Sequence, residues 1–302
     1  MKSTVMKTAK TFTLLALVAA ALIGSGAYAP KAHAQEVEVS GPLAGSPSVI
    51  ALRAYREMRF QVQLHSTMTL QDEYSRAVMF GGQLAFHPTD WLGIGVWGGF
   101  APFHIDTTLT DEVVDKGQTN QVNVLSLPNA ANFDEQIGKV KWIAAPQLSF
   151  IPLRGKIGIF EALFVDVDFY ISAGAAFAGV EERADVSGQA ADACRAMGGG
   201  QLADQIRCFE RTQSQTASRV SIAPTAAFGF SFYMADFVAL TFEYRVVPFS
   251  WNGSGTDEAG DSRGDFPDGQ INSDDRLLQL NQMMTLGFAF YLPTRPRLTH
   301  SD

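Results

Sequence analysis

Five histidines, two cysteines and a run of late aspartates are the residues of this 302-residue chain whose types suit chemistry. Hydrolysis would need a histidine base, a hydroxyl nucleophile and an orienting acid in mutual contact. His33 and His300 stand near the chain ends and His87 stands beside a Pro-Thr-Asp turn, which leaves His65 and His104. His65-Ser66 with Asp106 is the one trio that these positions suggest, but adjacency in sequence is not triad geometry. No catalytic residue is therefore expected, and the chain reads as non-enzymatic. Gly198-Gly199-Gly200 has neither the strand before it nor the helix after it that a phosphate-binding loop requires. Cys194 and Cys208 have no further cysteine or histidine near enough for a zinc site. They read as a disulfide closing a Gly-rich polar loop, worth about 3 kcal/mol by chain entropy, with two unpaired thiols as the alternative. Asp257, Glu258, Asp261, Asp265, Asp268, Asp274 and Asp275 offer hard oxygens suited to calcium. Their spacing matches no EF-hand loop, so a solvated loop is expected and no metal or cofactor is assigned. Arg263-Gly264-Asp265 is a chance tripeptide.

The elements that would carry these residues follow from periodicity. Lys2, Lys7 and Lys10, the apolar run Thr13 to Ile23 and Ala32-His33-Ala34 make residues 1–34 a cleavable signal peptide with a mature start at Gln35. A cut after Ala27-Tyr28-Ala29 would place Pro30 at the new terminus, and an uncleaved anchor would need a longer apolar run. Residues 35–55 are polar and rich in glycine and proline, an irregular lead. From residue 56 a period of two begins. Glu57, Arg59, Gln61, Gln63 and His65 alternate with Met58, Phe60, Val62 and Leu64. Seven further segments of this kind follow, near 78–87, 92–100, 140–150, 165–174, 219–232, 238–246 and 278–290. Pro146 is an objection to the fourth, since proline removes a ladder donor, and Pro152 to Ala162 reads as a connection. Short turns at Pro88-Thr89-Asp90 and Met234-Ala235-Asp236 alternate with long polar stretches at 106–138, 181–217 and 251–275.

Long connections on one side and short ones on the other are the pattern of an outer-membrane barrel. The polar face agrees, because Glu57, Arg59, Lys141, Asp166, Asp168, Arg219, Glu243 and Arg245 all fall opposite the bulky apolar residues. A sandwich core could not accept those charges unpaired, whereas a barrel lumen can pair or hydrate them. The expected fold is an all-β, antiparallel up-and-down transmembrane β-barrel of eight strands over residues 56–293, with long extracellular loops, short periplasmic turns and a nine-residue tail, 294–302. A soluble lipocalin-like barrel with its apolar face inward is the rival. Within the barrel the charges suggest pairs of Asp166 or Asp168 with Arg245, and of Glu57 or Glu243 with Arg59. They are read as a structural network filling a narrow lumen, with a selectivity ring in a small-solute channel as the alternative. Trp91, Phe150, Tyr233 and Tyr291 are assigned to an aromatic girdle at the periplasmic strand ends. The net charge of −8 and the lack of a basic stripe exclude a nucleic-acid partner.

The stretch Thr285-Leu286-Gly287-Phe288-Ala289-Phe290-Tyr291-Leu292 resembles the last-strand signal read by outer-membrane assembly machinery, with Thr285, Gly287, Phe288, Phe290 and Leu292 at its key positions. It departs from that signal in continuing past Pro293 instead of ending on an aromatic. The resemblance implies the barrel-assembly complex and periplasmic chaperones as folding partners. Asp166-Val167-Asp168-Phe169-Tyr170 with Ala173-Gly174, Thr241-Phe242-Glu243-Tyr244-Arg245, and Leu286 to Pro293 together resemble the outer-membrane β-barrel domain family of myxobacteria and their relatives over about residues 56–293. That family carries no established activity to transfer. It implies the fold and a location in outer-membrane lipid; the long outer loops favour a structural or surface-interaction role, with the small-solute channel and an outer-leaflet hydrolase as alternatives, and a monomer is expected.

Overall fold

The computed structural model describes residues 52–70, 72–117, 125–128, 133–159, 163–197, 202–260, 266–295 and 297–299. The expected signal peptide and nearly all of the polar lead lie outside the described residues. Eight strands form the wall: β1 (Arg59–Thr69), β2 (Ser75–His87), β3 (Leu92–Asp106), β4 (Lys139–Ile159), β5 (Leu163–Arg183), β6 (Thr216–Ala235), β7 (Val238–Val246) and β8 (Gln282–Leu292). Each pairs antiparallel with its neighbours in sequence, and β8 pairs with β1, so the ring is closed. Closure leaves no open sheet edge around the wall.

The alternation of residue types becomes alternation of environment. Along β1, Arg59, Gln61, Gln63, His65, Thr67 and Thr69 are buried inside, while Phe60, Leu64 and Met68 are exposed outside. Glycines admit the close approach of the wall strands at a few points. Gly81 has no room for a side chain, since a Cβ there would strike the carbonyl of Gly98 across the β2–β3 ladder.

Two strand boundaries differ from the periodic reading. β4 does not stop near Phe150; a bulge between Phe150 and Leu153 carries it through Pro152 to Ile159, paired with the start of β5. A bulge takes up the change of phase that the sequence showed as a connection. Conversely, Leu277–Gln279 is not part of β8. It pairs with Phe249–Trp251 as a separate ribbon, and Asn281, with φ of 32°, turns the chain between the two. Pro146 stands within β4 opposite Val96. Beyond the barrel, Leu52–Ala54 pairs with Arg297–Thr299, so the lead and the tail form a two-stranded ribbon at the short-turn end.

The described parts of the long connections are folded. They carry α1 (Thr108–Lys116), α2 (Phe133–Gln136), α3 (Gly188–Ala196) and α4 (Leu202–Gln213), none of which the sequence reading anticipated. Among the described residues no helix is long and apolar enough to cross a membrane.

Candidate functional site

Large inward-facing side chains occupy the lumen in successive layers among the described residues. At the short-turn end the plug comes from outside the strands. Arg56, only 2% exposed, donates through Nε to Asp168 (3.1 Å) and to the Tyr233 hydroxyl (3.1 Å), and through Nη2 to Ser231 (2.7 Å). Its guanidinium also faces the rings of Tyr170 and Tyr291. Tyr55 stacks on Tyr233 with ring centroids 4.2 Å apart and donates to Asp166 (2.7 Å). Arg59 instead holds carbonyls, those of Tyr55 (2.6 Å), Tyr291 (3.0 Å) and Pro293 (2.7 Å). It thereby ties the lead to the end of β8.

Midway up, Arg245 and Glu243 form a buried pair at 2.8 Å. Arg245 also donates to Gln147 (2.7 Å) and Thr225 (3.2 Å) and lies over the Trp97 indole, 4.3 Å from its centroid. His65 stacks on Trp97 almost in parallel at 5.0 Å, and the Tyr170 hydroxyl donates to Glu243 (3.1 Å). Above this layer the lumen turns apolar, with Met79, Ile143, Val180, Val247, Phe249, Trp251 and Met283 forming one buried cluster. Polar pairs below and a greasy stopper above leave the interior packed with side chains, as expected where eight strands close.

The network is therefore not the set that the sequence suggested. Glu243 and Arg245 pair with each other, not with Arg59 or an aspartate. Asp168 pairs with Arg56 and with Arg154 at 3.4 Å, and Asp166 with Lys156 at 3.6 Å. Glu57 lies ahead of the strands, half-buried. Lys141 is not a lumen residue: a bulge between Val140 and Trp142 turns it outward, where it meets Glu181 at 2.8 Å. Arg219 sits at the upper rim and grips Glu182 at 3.0 Å. Tyr233 and Tyr291 point into the lumen and are not girdle residues, whereas Trp91 and Phe150 are exposed and pack edge-on outside. Of the last-strand residues, Thr285 and Gly287 face inward, and Phe288, Phe290 and Leu292 outward. The parity of Tyr233 with Ser231 would have found one of these tyrosines; Arg56 lies ahead of β1, and the period carried back to it puts it with Met58 and Phe60 on the apolar face.

The hydrolase trio is taken apart by the wall. His65 faces the lumen, Ser66 on the next position faces outward, and Asp106 is exposed at the far end of β3. His104 donates to the Val140 carbonyl (3.0 Å).

Over the long-loop end lies a cap with its own small core of Leu125, Val186, Ala191, Cys194, Phe209 and Ile271. Cys194 and Cys208 form a disulfide that joins α3 to α4. Glu182, buried and not anticipated, accepts from Arg219, from Arg276 (2.7 Å) and from the Asn252 amide (3.1 Å), binding the cap to the wall. Gly255, with φ of 66°, lets this loop turn against Gln136, whose amide donates to the Ser254 carbonyl (3.0 Å). Removing the disulfide by Cys208→Ser should release up to about 3 kcal/mol of loop order. Trypsin cleavage after exposed Arg195 or Arg211 is expected to accelerate while the barrel itself stays intact; an unchanged cleavage rate would show that the bridge is not needed for cap order.

The described residues of the acidic loop do not gather around a point. Among the described residues no three acidic, histidine or cysteine side chains could hold a metal ion together; Asp261 and Asp265 lie outside them. Asp275 instead caps its own turn, accepting from the amides of Glu258 (2.8 Å), Ala259 (3.0 Å) and Asn272 (2.7 Å). Asp257 accepts from the Gly269 amide (2.9 Å), and its other oxygen is buried without a partner. Burial first, then the charges of Asp268 and Asp275, push its pKa up to about 6. Burial pushes Asp72, held by Thr69, to about 6 as well. A folded pKa above the unfolded value means that the cap gains stability on protonation. That gain is complete below about pH 4 and lost as pH rises through about 6. Hydrogen exchange at the Gly269 amide should be slower at pH 5 than at pH 8, beyond the intrinsic rate difference, by on the order of tenfold. Asp257→Asn should remove the difference.

No protein-family model and no curated protein matches this sequence. Solved structures similar to it include the N-terminal β-barrel domain of Pseudomonas aeruginosa OprF, at a TM-score of 0.38 and 9% identity over 78% of this chain and 98% of that chain. Pseudomonas aeruginosa OprG gives 0.38 and 9% over 78% and 97%. The attachment invasion locus protein Ail of Yersinia pestis gives 0.33 and 8% over 78% and 99%. At these scores the likeness carries no argument; the closed eight-strand ladder itself defines the fold.

Proposed function

We propose that the chain is an integral outer-membrane barrel with a sealed lumen, whose work is done by the folded cap at the cell surface, and that it is neither a channel nor a hydrolase. The observation that carries this reading is the inversion of polarity. Phe60, Leu64, Phe80, Leu84, Ile94, Phe100, Leu148 and Leu286 are exposed around the outside, while arginine, glutamate and glutamine are buried within. An apolar band of that extent is unsustainable in water and is what lipid requires. The packed lumen counts against the small-solute channel, and the separation of His65, Ser66 and Asp106 counts against the trio.

On this reading residues 1–34 are an export signal removed before Gln35, the short-turn end is periplasmic, and the assembly machinery reads β8. The chain is a monomer of the myxobacterial barrel-domain type, a placement supported by its Asp166–Tyr170, Thr241–Arg245 and Leu286–Pro293 motifs. The test is to run unboiled and boiled samples of purified outer membranes on a detergent gel and then record from planar bilayers. A heat-dependent mobility shift with no conductance is expected. A protein free in the periplasm, or a steady conductance, would overturn the location or the sealed lumen respectively.

A further inference from the structure

The outer wall carries a notch at the upper edge of its apolar band. In the row Trp142, Gly179, Val220, directly opposed across β4, β5 and β6, the middle position has no side chain. The Trp142 indole leans over Gly179 so closely that a Cβ there would strike it. The result is a depression of about 110 Å³ lined by Lys141, Trp142, Gly179, Ser218, Arg219 and Val220. Below it the wall is apolar, with Phe177 and Ile222 opposed and Ile222 71% exposed. Above it stand Lys141, turned out by its bulge, and the exposed Ser218.

Beside the notch, Lys139 and Lys141 both act on the single carboxylate of Glu181. Lys141 uses one ammonium proton on Glu181 and is 37% exposed. Arg219 is committed through Nε and Nη2 to Glu182 and to the Ser250 carbonyl, which leaves Lys141 as the lysine at the notch. A tryptophan beside a lysine at the end of an apolar wall suits the boundary where headgroups meet hydrocarbon.

We infer that this notch binds the phosphate of an outer-leaflet lipid, with the phosphate oxygens at the Lys141 ammonium and the Ser218 hydroxyl and an acyl chain lying down over Val220 and Ile222. The inference rests on the barrel spanning the outer membrane as proposed above. A phosphate ester is a strong acceptor for such donors, and a lone basic side chain near a lipid surface adds a modest attraction that the apolar groove reinforces.

The experiment uses the full chain in nanodiscs of phosphatidylcholine doped with a bisphosphorylated glycolipid, followed by native mass spectrometry of the released protein. Protease protection of the barrel is checked first; a barrel that does not insert sinks the membrane reading together with the site. In an inserted barrel one glycolipid should be retained per chain. Lys141→Ala and, independently, Gly179→Leu should each lower retention roughly tenfold, while Lys156→Ala at the opposite end should not. Retention equal in all four proteins, or equal losses in all three variants, would overturn the site and leave the membrane reading intact. Displacement by excess inorganic phosphate would show a free-anion site instead of a lipid site and would also overturn it.

Discussion

Arg245→Ala is expected to destabilise the barrel by about 3–5 kcal/mol, the range for removing one partner of a fully buried ion pair. Arg245 and Glu243 are 0% and 1% exposed, so no solvent replaces the lost contact. The loss extends past the pair. Gln147 and Thr225 each lose a donor, and Trp97 loses the cation over its face. Glu243 would keep only the Tyr170 hydroxyl. The measurement is the urea midpoint of the barrel in lipid vesicles, followed by tryptophan fluorescence. An unchanged midpoint would mean that water enters the lumen and solvates Glu243, contrary to the packing described. Adding Glu243→Gln to Arg245→Ala should recover much of the stability, because the penalty lies in the stranded charge more than in the missing attraction.

Arg56→Ala is expected to cost less, near the lower end of the same ~3–5 kcal/mol range. Asp168 would retain Arg154 and the Tyr233 hydroxyl, so its charge would not be orphaned. The variant is informative because Arg56 belongs to no strand. If the lead is an integral stopper, its loss should lower the midpoint and also expose Tyr55 and Tyr233 to quenchers. Tyr55 and Arg56 would detach together, since they bond to the adjacent Asp166 and Asp168. A midpoint equal to that of the parent chain, with unaltered tyrosine quenching, would show the stopper to be dispensable.

The wall was legible in the sequence because one barrel face meets polar partners and the other does not, so residue type must alternate wherever the ladder is regular. That logic transmits a face assignment along a strand only as far as the next bulge. Lys141 was placed inside because counting back from Gln147 keeps its parity, and the bulge at Val140 and Trp142 reverses it. The extension of β4 was hidden in the same way at Phe150 and Leu153. Partner choice was less legible than facing. Glu243 and Arg245 are two apart on one strand, and their pairing depends on what Gln147, Thr225 and Trp97 present from other strands. The helices of the cap are rich in polar residues, and that composition masked them. Their order comes from tertiary links, such as the Cys194–Cys208 bridge and the Val186–Ile271 pairing, that a local pattern does not carry.

The ladder between β8 and β1 joins the last strand of the wall to the first, from Met283 opposite Thr69 to Leu292 opposite Phe60. Until Gln282–Leu292 is made and in place, β1 and β7 each present a full row of unsatisfied amides and carbonyls, which hydrocarbon will not tolerate. The protein therefore has no stable half-built form in lipid. A ribosome that stops before Gln282 yields a curled sheet with two adhesive margins and nothing of its own to close them, and insertion must wait for that closing strand to be made.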